Sequence, residues 1–395
     1  MKITALELKA IRKRKQAGMN EKRTTELLES IFKEDVHVRR IFSLSQAVVG
    51  VLHATSLGIH AIGAGLAAAQ NLDPKHTVKQ VDRLLSNVGI SVWDIFESWV
   101  PFMVGQRKDI VVALDWTEFD ADDQSTIVLS LVTSHGRATP LIWNTVVKSE
   151  LKNNRNKYED DLLVRFREVL PPDTEVLLLA DRGFGDQKLF DFLKELQFHY
   201  VIRFRGNIYV TAKDGERRKA VDWMNKDGRS IALRKATITA DDCPVETVIC
   251  VHDKKMKEPW CMASDLRISA TMAIKRYARR FTIEESFRDL KDSRYGLGLS
   301  STRIGRPDRR DKLILIATLA VYLVTLLGAA GEALGMDRRL KTNTSKRRTL
   351  SLFRQGLFWY SAIPNMSDDR LEPLMIKFNE LLRNQPLIIE IFGII

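Results

Sequence analysis

The stretch IVVALDW at residues 110–116 changes the periodicity of the chain from helical to extended. It is the first of three short runs rich in β-branched residues, and STIVLSLVTS (125–134) and ATPLIWNTVV (138–147) are the others. A helical segment at 156–170 follows. The continuous apolar run EVLLLAD at 175–181 is then typical of a strand buried on both faces. This order of strands and helix predicts the α/β fold class.

Helical spacing of apolar residues extends on both sides of this region. Residues 1–105 are predicted to form one helical domain, and residues 331–395 a helical C-terminal region. Between them lies the predicted α/β core, residues 106–330. Within it, residues 206–266 contain further strand-like runs and are predicted to form an inserted β-rich lobe. A long helix at 270–292 follows this lobe.

The composition favours a polyanionic partner. The chain has 395 residues, with 62 Lys and Arg against 50 Asp and Glu, which gives a net charge of +12. Such an excess is typical of proteins that bind nucleic acid, and the N-terminal helices are the predicted DNA-binding domain. Three cysteines without a C-x-x-C pair argue against a disulfide framework and against a structural zinc site.

One apolar segment is long enough to cross a membrane. Residues 313–330, LILIATLAVYLVTLLGAA, contain 18 residues without a charge. Thr318, Tyr322 and Thr325 interrupt the apolar character, and basic residues lie on both sides, so no charge asymmetry indicates an orientation. We interpret the segment as a helix buried in a protein core. A membrane protein built around it is the alternative.

Two carboxylates occupy unusual positions. Asp115 is predicted to end the first strand, and Asp181 the buried strand at 175–181. A charged residue at the end of a buried strand is costly unless it is bound to something, and two such carboxylates repel each other. A divalent cation such as Mg²⁺, which prefers oxygen ligands, would relieve the repulsion. Taken singly, each aspartate could instead form a turn or a helix cap.

The long helix supplies the third carboxylate. Glu284 and Glu285 are adjacent, Arg280 lies one turn before Glu284, and Lys291 lies two turns after it. Salt bridges on a solvated helix are one interpretation of this pattern. The other is a site in which the glutamate holds a metal ion while the cations hold phosphate oxygens.

A known family has this helix pattern. Tyr277, Arg280, Glu284 and Lys291 stand at the spacing Y-x(2)-R-x(3)-E-x(6)-K, and SRYGLGL follows. The pattern resembles the signature of the insertion sequence four family of bacterial DDE transposases, most closely its cut-and-paste branch. Similar blocks occur in order from about residue 79 to about residue 303. They are LDW at Asp115, D-x-G-F at Asp181 and KEPWCMASDL at 257–266.

The resemblance implies an RNase H-like catalytic core with a metal-dependent site. Asp115, Asp181 and Glu284 would form the catalytic triad and together bind two Mg²⁺ ions, for which Mn²⁺ can substitute. In such sites one ion activates a water or a 3′-hydroxyl, and the other stabilises the leaving oxygen of an in-line displacement.

The resemblance also implies DNA contacts. Tyr277, Arg280 and Lys291 would bind phosphates of the transposon end. Trp260, on the β-rich lobe, would stack on a base flipped out of the duplex, which relieves the strain of a DNA hairpin. The residues alone leave a second interpretation of Trp260 open, as a strand residue in the core of the lobe.

These features together predict a DDE transposase. It would excise a DNA element at its terminal inverted repeats through hydrolysis and hairpin formation, and integrate it by strand transfer. Such proteins act on double-stranded DNA as dimers, so we expect a homodimer in the DNA complex. We expect it in the bacterial cytoplasm, associated with the nucleoid and with no membrane.

Two other DNA-binding classes compete with this interpretation. An RNase H-like nuclease or resolvase would cleave without strand transfer, and only the Tyr-Arg-Glu-Lys block and Trp260 oppose it. A non-catalytic DNA-binding protein derived from a transposase would need no complete set of carboxylates. The set Asp115, Asp181 and Glu284 is intact.

Overall fold

The N-terminal region is helical over the residues that are described. The computed structural model describes residues 20–239 and 241–393, so the first 19 residues of the predicted DNA-binding domain lie outside it. Helices begin where the sequence supplies a cap. The Asp73 carboxylate accepts a hydrogen bond from the Lys75 amide at 2.7 Å, and Pro74 takes the first helical position. The helices are α1 (Glu21–Phe32), α2 (Val38–Ala54), α3 (Ile59–Gln70), α4 (Pro74–Leu85) and α5 (Val92–Val104).

A mixed sheet forms the centre of the molecule, which confirms the α/β class. Strand β1 pairs parallel with β4, and β4 pairs parallel with β5, while β2 and β3 add antiparallel on the other side of β1. The apolar runs of the sequence form these strands because their side chains are buried on both faces. The strands are β1 (Asp109–Phe119), β2 (Gln124–Val132), β3 (Ala138–Val147), β4 (Glu175–Ala180) and β5 (His199–Phe204).

The segment predicted as an inserted lobe extends this same sheet. Strand β10 pairs antiparallel with β5, with Cys261 opposite Phe204, and β9, β8, β6 and β7 follow outward. The strands are therefore present, but they continue the core sheet and do not form a sheet of their own. They are β6 (Tyr209–Thr211), β7 (Arg217–Lys219), β8 (Ile231–Ile238), β9 (Cys243–Val251) and β10 (Trp260–Ser264).

The two faces of the sheet are covered by different helices. Alternate residues of β1 point to opposite faces, so Val112 and Leu114 join the larger core while Val111 and Ala113 join a smaller one. Helices α6 (Arg155–Val169) and α7 (Gln187–Glu195) contribute to the larger core. Helices α8 (Ala270–Ala278) and α9 (Thr282–Lys291), joined by a short turn at Arg279–Phe281, contribute to the smaller one.

The apolar segment 313–330 lies inside helix α10 (Pro307–Ala333), within the protein core. By length and composition α10 could cross a membrane, but 89% of its most apolar window is buried in the protein. It packs against α2, α4, α5 and β3 and against the C-terminal helices. The burial supports the interpretation as a core helix. The C-terminal helices are α11 (Leu352–Ala362), α12 (Asp368–Arg383) and α13 (Gln385–Ile391).

The contact between α10 and α11 depends on two glycines. A Cβ added to Gly328 would stand 1.9 Å from the Leu352 carbonyl oxygen, and one added to Gly356 would stand 1.8 Å from the Val324 carbonyl oxygen. Real Cβ atoms do not approach backbone so closely, and the two helix backbones therefore touch only because both positions lack a side chain.

A buried carboxyl at the start of α10 gives the fold a pH dependence. Asp311 accepts a hydrogen bond from the Thr145 amide at 3.0 Å, and burial raises the pKa of Asp311 to about 7. Between about pH 4 and pH 7 the native state holds a proton that the unfolded chain has released. Stability therefore falls as pH rises through this window.

We expect Asp311→Asn to remove this pH dependence, because the amide keeps the acceptor oxygen and cannot ionise. Between pH 5 and pH 8 the wild-type free energy of unfolding should fall about 2–3 kcal/mol more than that of the variant. Urea unfolding at both pH values measures the difference. Asp308→Asn is the matched control on the same helix, since the pKa of Asp308 is lowered and it stays ionised throughout. Equal slopes for wild type and Asp311→Asn would contradict the prediction.

Candidate active site

Asp115 and Asp181 lie at the same level of the sheet, where the pairing of β1 with β4 ends. The parallel ladder of β1 and β4 ends with Leu114 opposite Ala180, and each aspartate is the next residue along the chain. The prediction that Asp115 ends its strand is wrong, because β1 continues to Phe119 in antiparallel pairing with β2. What ends at Asp115 is the pairing with β4, which opens the space between the two strands.

Local hydrogen bonds orient both carboxylates. The Asp181 Oδ1 atom accepts from the Gly183 amide at 2.7 Å and caps the short turn that follows β4. The Asp115 Oδ1 atom accepts from the Trp116 amide at 2.9 Å. Backbone amides thus fix one oxygen of each side chain.

Helix α9 carries Glu284, and Arg280 connects Glu284 to Asp115. The Arg280 guanidinium donates to Asp115 Oδ2 at 3.0 Å and to Glu284 Oε1 at 2.5 Å. The Arg280 side chain is only 6% exposed, whereas Glu284 is 51% exposed. Glu284 lies in the first turn of α9, where the helix dipole favours a negative charge. One buried cation therefore joins the first and third carboxylates of the predicted triad.

The electrostatics of Asp115 reflect all three neighbours. Burial raises the pKa of Asp115 to about 6, the positive Arg280 opposes this, and the charges of Asp181 and Glu284 add to it. The two carboxylates act on Asp115 because they are close enough to repel it. The structure thus brings Asp115, Asp181 and Glu284 together.

Glu285 belongs to a different cluster of charges. Its carboxylate pairs with Arg288 and lies 3.7 Å from the Arg137 guanidinium, which also binds Asp289 at 2.5 Å. Glu284 and Glu285 point away from each other because neighbouring helical positions are separated by about 100°. Of the two glutamates, Glu284 faces Asp115.

Lys291 lies beside β1, beyond Asp115. Its Nζ atom donates to Thr117 Oγ1 at 3.0 Å and to the Glu118 carbonyl oxygen at 2.6 Å, and it stands 4.8 Å from the centre of the Phe119 ring. Burial lowers the pKa of Lys291. An ammonium group has three donors, so one N–H remains after these two bonds.

Trp260 and Tyr277 form an aromatic cluster with Phe281 next to the carboxylates. The Trp260 ring packs edge-on against Tyr277 at 5.0 Å and stacks on Phe281 at 5.9 Å. Tyr277 is fully buried, Trp260 is half-buried and Phe281 is 38% exposed. The Arg280 guanidinium lies 4.9 Å from the centre of the Phe281 ring, which connects the cluster to the carboxylates.

A chain of charges that the sequence analysis missed connects this cluster to Asp181. Arg203 on β5 is buried and donates to Glu258 at 3.0 Å and to the Pro259 carbonyl oxygen at 2.9 Å. Glu258 also accepts from Arg182, the residue after Asp181, at 2.9 Å. The signal was available, since Arg203 is a charged residue inside the apolar run of a central strand.

The three carboxylates have the donor chemistry that Mg²⁺ prefers, namely oxygen atoms of Asp and Glu. In the arrangement described above, the positive charge between Asp115 and Glu284 is that of Arg280. Within residues 20–239 and 241–393, no three His, Cys, Asp or Glu side chains stand in an arrangement that could hold a metal ion. The three carboxylates therefore have the donor atoms that a metal ion needs. In this structure the Arg280 guanidinium supplies the positive charge beside them.

Comparison with known families identifies the domain that contains these residues. Residues 106–323, which are 218 of the 395 residues, match the family model described as "Transposase DDE domain". The matched segment includes Asp115, Asp181 and Glu284. No curated protein matches the sequence.

Proposed function

The chain belongs to the family of DDE transposases, and from this premise we propose that it excises and integrates a DNA element by the cut-and-paste route of the insertion sequence four branch. It cuts both strands at the terminal inverted repeats and joins the freed 3′-hydroxyls to target DNA. The DDE domain implies an RNase H-like core. The observation that carries the proposal is that Asp115 and Asp181 follow the last residue pair of the β1–β4 ladder, with Glu284 joined to Asp115 by the Arg280 guanidinium.

In this proposal Asp115, Asp181 and Glu284 are the catalytic triad and hold divalent cations, for which two Mg²⁺ ions are the proposed occupants and Mn²⁺ a substitute. Bound there, the ions would polarise the scissile phosphate and activate the attacking hydroxyl. The protein's own contribution is to fix the ligands. Backbone amides hold Asp115 and Asp181, and helix α9 holds Glu284.

Arg280, Lys291 and Tyr277 are the proposed contacts to DNA phosphates. The Tyr277 hydroxyl and the Arg280 Nε atom are buried beside the carboxylates, and the Tyr277 hydroxyl lies against the Arg280 and Arg203 guanidinium groups. Lys291 keeps one free donor. Donors beside the carboxylates are suited to phosphate oxygens, which accept several hydrogen bonds at once.

Trp260 is the proposed stacking surface for a flipped base during hairpin formation. Its ring is half-buried and held against Tyr277 and Phe281, so its position is fixed before DNA binds. A rigid aromatic ring at the edge of a phosphate site suits an unpaired base, because stacking needs no particular base identity.

The remaining proposals concern partners and location. We propose that the protein binds DNA ends as a homodimer and that the N-terminal helices form a DNA-binding domain. We propose a bacterial cytoplasmic protein associated with the nucleoid. The net charge of +12 supports binding to DNA, since Lys and Arg that neutralise phosphates release counterions.

Incubation of the purified protein with Mg²⁺ and DNA that carries the inverted repeats of its own locus tests the function. Hairpin-ended excised fragments and their insertion into a second plasmid are the expected products. Cleavage without hairpins or insertion would favour an RNase H-like nuclease or resolvase. Binding without cleavage would favour a non-catalytic protein derived from a transposase.

A further inference from the structure

A groove of about 190 Å³ lies beside helix α8, on the same face of the sheet as the carboxylates. Its floor is apolar and one wall is basic. No carboxylate from the described part of the chain contributes to its lining. The residues that line it are Val111, Val132, Met272, Lys275, Arg276 and Arg279.

The three cations of this groove have no anionic partner among the described residues. Neighbouring arginines have carboxylate partners, as Arg280 has Asp115 and Glu284. Within residues 20–239 and 241–393, by contrast, the side chains of Lys275, Arg276 and Arg279 form no hydrogen bond or ion pair. Arg276 and Arg279 are also half-buried, so part of their hydration has been lost. Like positive charges held together without anions attract a polyanion strongly.

The groove has a defined position relative to the carboxylates. Val111 precedes Asp115 by four residues on β1 and shares its face of the sheet, which corresponds to about 13 Å along the strand. Thirteen ångströms is roughly the length of four base-pair steps of duplex DNA. A backbone that occupied the groove could therefore continue to the carboxylates.

The groove and Trp260 lie on opposite sides of the carboxylates. In the sheet order, β2 with Val132 is on one side of β1, and β10 with Trp260 is three strands away on the other side. Helix α8 and the turn after it contribute to both places. Tyr277 packs against Trp260, whereas Lys275, Arg276 and Arg279 line the groove. If the transposon end is held at the Trp260 side, the groove is left for a second duplex.

We infer that the groove binds the sugar–phosphate backbone of target DNA, an inference that rests on the proposed function. The cations contact phosphates, and Met272, which is 44% exposed, covers the apolar edge of the sugars. These contacts do not read sequence, since they reach the backbone and not the bases. The groove thus positions the recipient strand for joining and takes no part in cutting the element.

The test uses a triple variant, Lys275→Ala, Arg276→Ala and Arg279→Ala, in the full chain. Complexes assembled on pre-cut transposon ends are titrated with a labelled target duplex, and cleavage of uncut ends is measured in parallel. We expect the triple variant to bind target DNA about fivefold more weakly than wild type. At limiting target DNA, its joining rate should fall by the same factor, and at saturating target DNA the rate should recover. Cleavage should stay within twofold of wild type.

The control removes the same charge from the opposite face of the sheet, with Lys152→Ala, Lys157→Ala and Arg167→Ala around helix α6. It should leave target affinity unchanged, and circular dichroism verifies that both variants fold. A variant that exchanges Lys for Arg and Arg for Lys in the groove should retain binding.

Three outcomes would overturn the inference or its premise. Equal loss of cleavage and joining in the triple variant would mean that the groove holds the transposon end. Unchanged target affinity would mean that the cations are solvated surface. A wild-type protein that neither cuts nor joins DNA would overturn the proposed function itself. This outcome differs from the other two because it is seen in the wild-type reaction, without any variant.

Discussion

Glu284→Ala should lower the rate of DNA cleavage at least about a thousandfold, whereas Glu285→Ala should leave it near the wild-type rate. The reason is that Glu284 faces Asp115 and Arg280, while Glu285 pairs with Arg288 and Arg137. Loss of a ligand to catalytic cations removes several kcal/mol of transition-state stabilisation, and about 4 kcal/mol corresponds to a thousandfold in rate. Gel assays of nicked transposon ends measure both variants.

Asp115→Ala and Asp181→Ala should be as inactive as Glu284→Ala, and all three should still bind transposon ends. Binding survives because contacts to phosphates, and not the metal ligands, dominate affinity for DNA. Anisotropy titration with labelled ends is the control for correct folding. An active Glu284→Ala protein together with an inactive Glu285→Ala protein would show that the assignment of the third ligand is off by one residue.

Trp260→Ala should spare the first nick and slow hairpin formation about tenfold or more. Nicking needs no tight bend, but a hairpin forces one base out of the stack, which costs a few kcal/mol. Stacking on an aromatic ring returns about 1–3 kcal/mol, and each 1.4 kcal/mol changes a rate tenfold. Single-turnover assays that resolve nicked from hairpin products measure the two steps separately. Trp260→Phe should restore part of the rate.

A matched control separates this role from damage to the fold. Trp223 is 9% exposed and lies between β7 and β8, where it packs against Arg218. Trp223→Ala should affect nicking and hairpin formation equally, through stability alone. If Trp260→Ala also reduces both steps equally, Trp260 serves the core of the protein. If it changes neither step, the plain nuclease interpretation gains.

The parts of the fold that were predictable from sequence are those set by local patterns. Continuous apolar runs located β1 and β4, and the spacing of the helix residues placed Arg280 one turn before Glu284. Pairing between distant strands has no such local signal. The strands of 206–266 join the core sheet only because β10 meets β5 across more than fifty intervening residues.

The partners of buried charges were equally invisible in the sequence. Arg310 is one of the basic residues that precede the apolar segment 313–330, yet it is fully buried and binds Asp122 at 2.5 Å and Gln124 at 2.5 Å. The contact of Arg280 with Asp115 joins residues 165 positions apart. Such contacts depend on how helices dock on the sheet, which periodicity does not encode.

Helix α10 has a consequence for incomplete copies of the gene. It packs against helices that are synthesised before it and against helices α11 to α13, which are synthesised after it, so the core of the protein closes only after residues 352–391 have been made. A stop codon between Glu284 and Leu313 would leave all three carboxylates in a chain that still exposes the apolar surfaces α10 should cover. We expect proteolysis to remove such fragments, so that truncated genes yield no uncontrolled form of the proposed DNA-cutting activity.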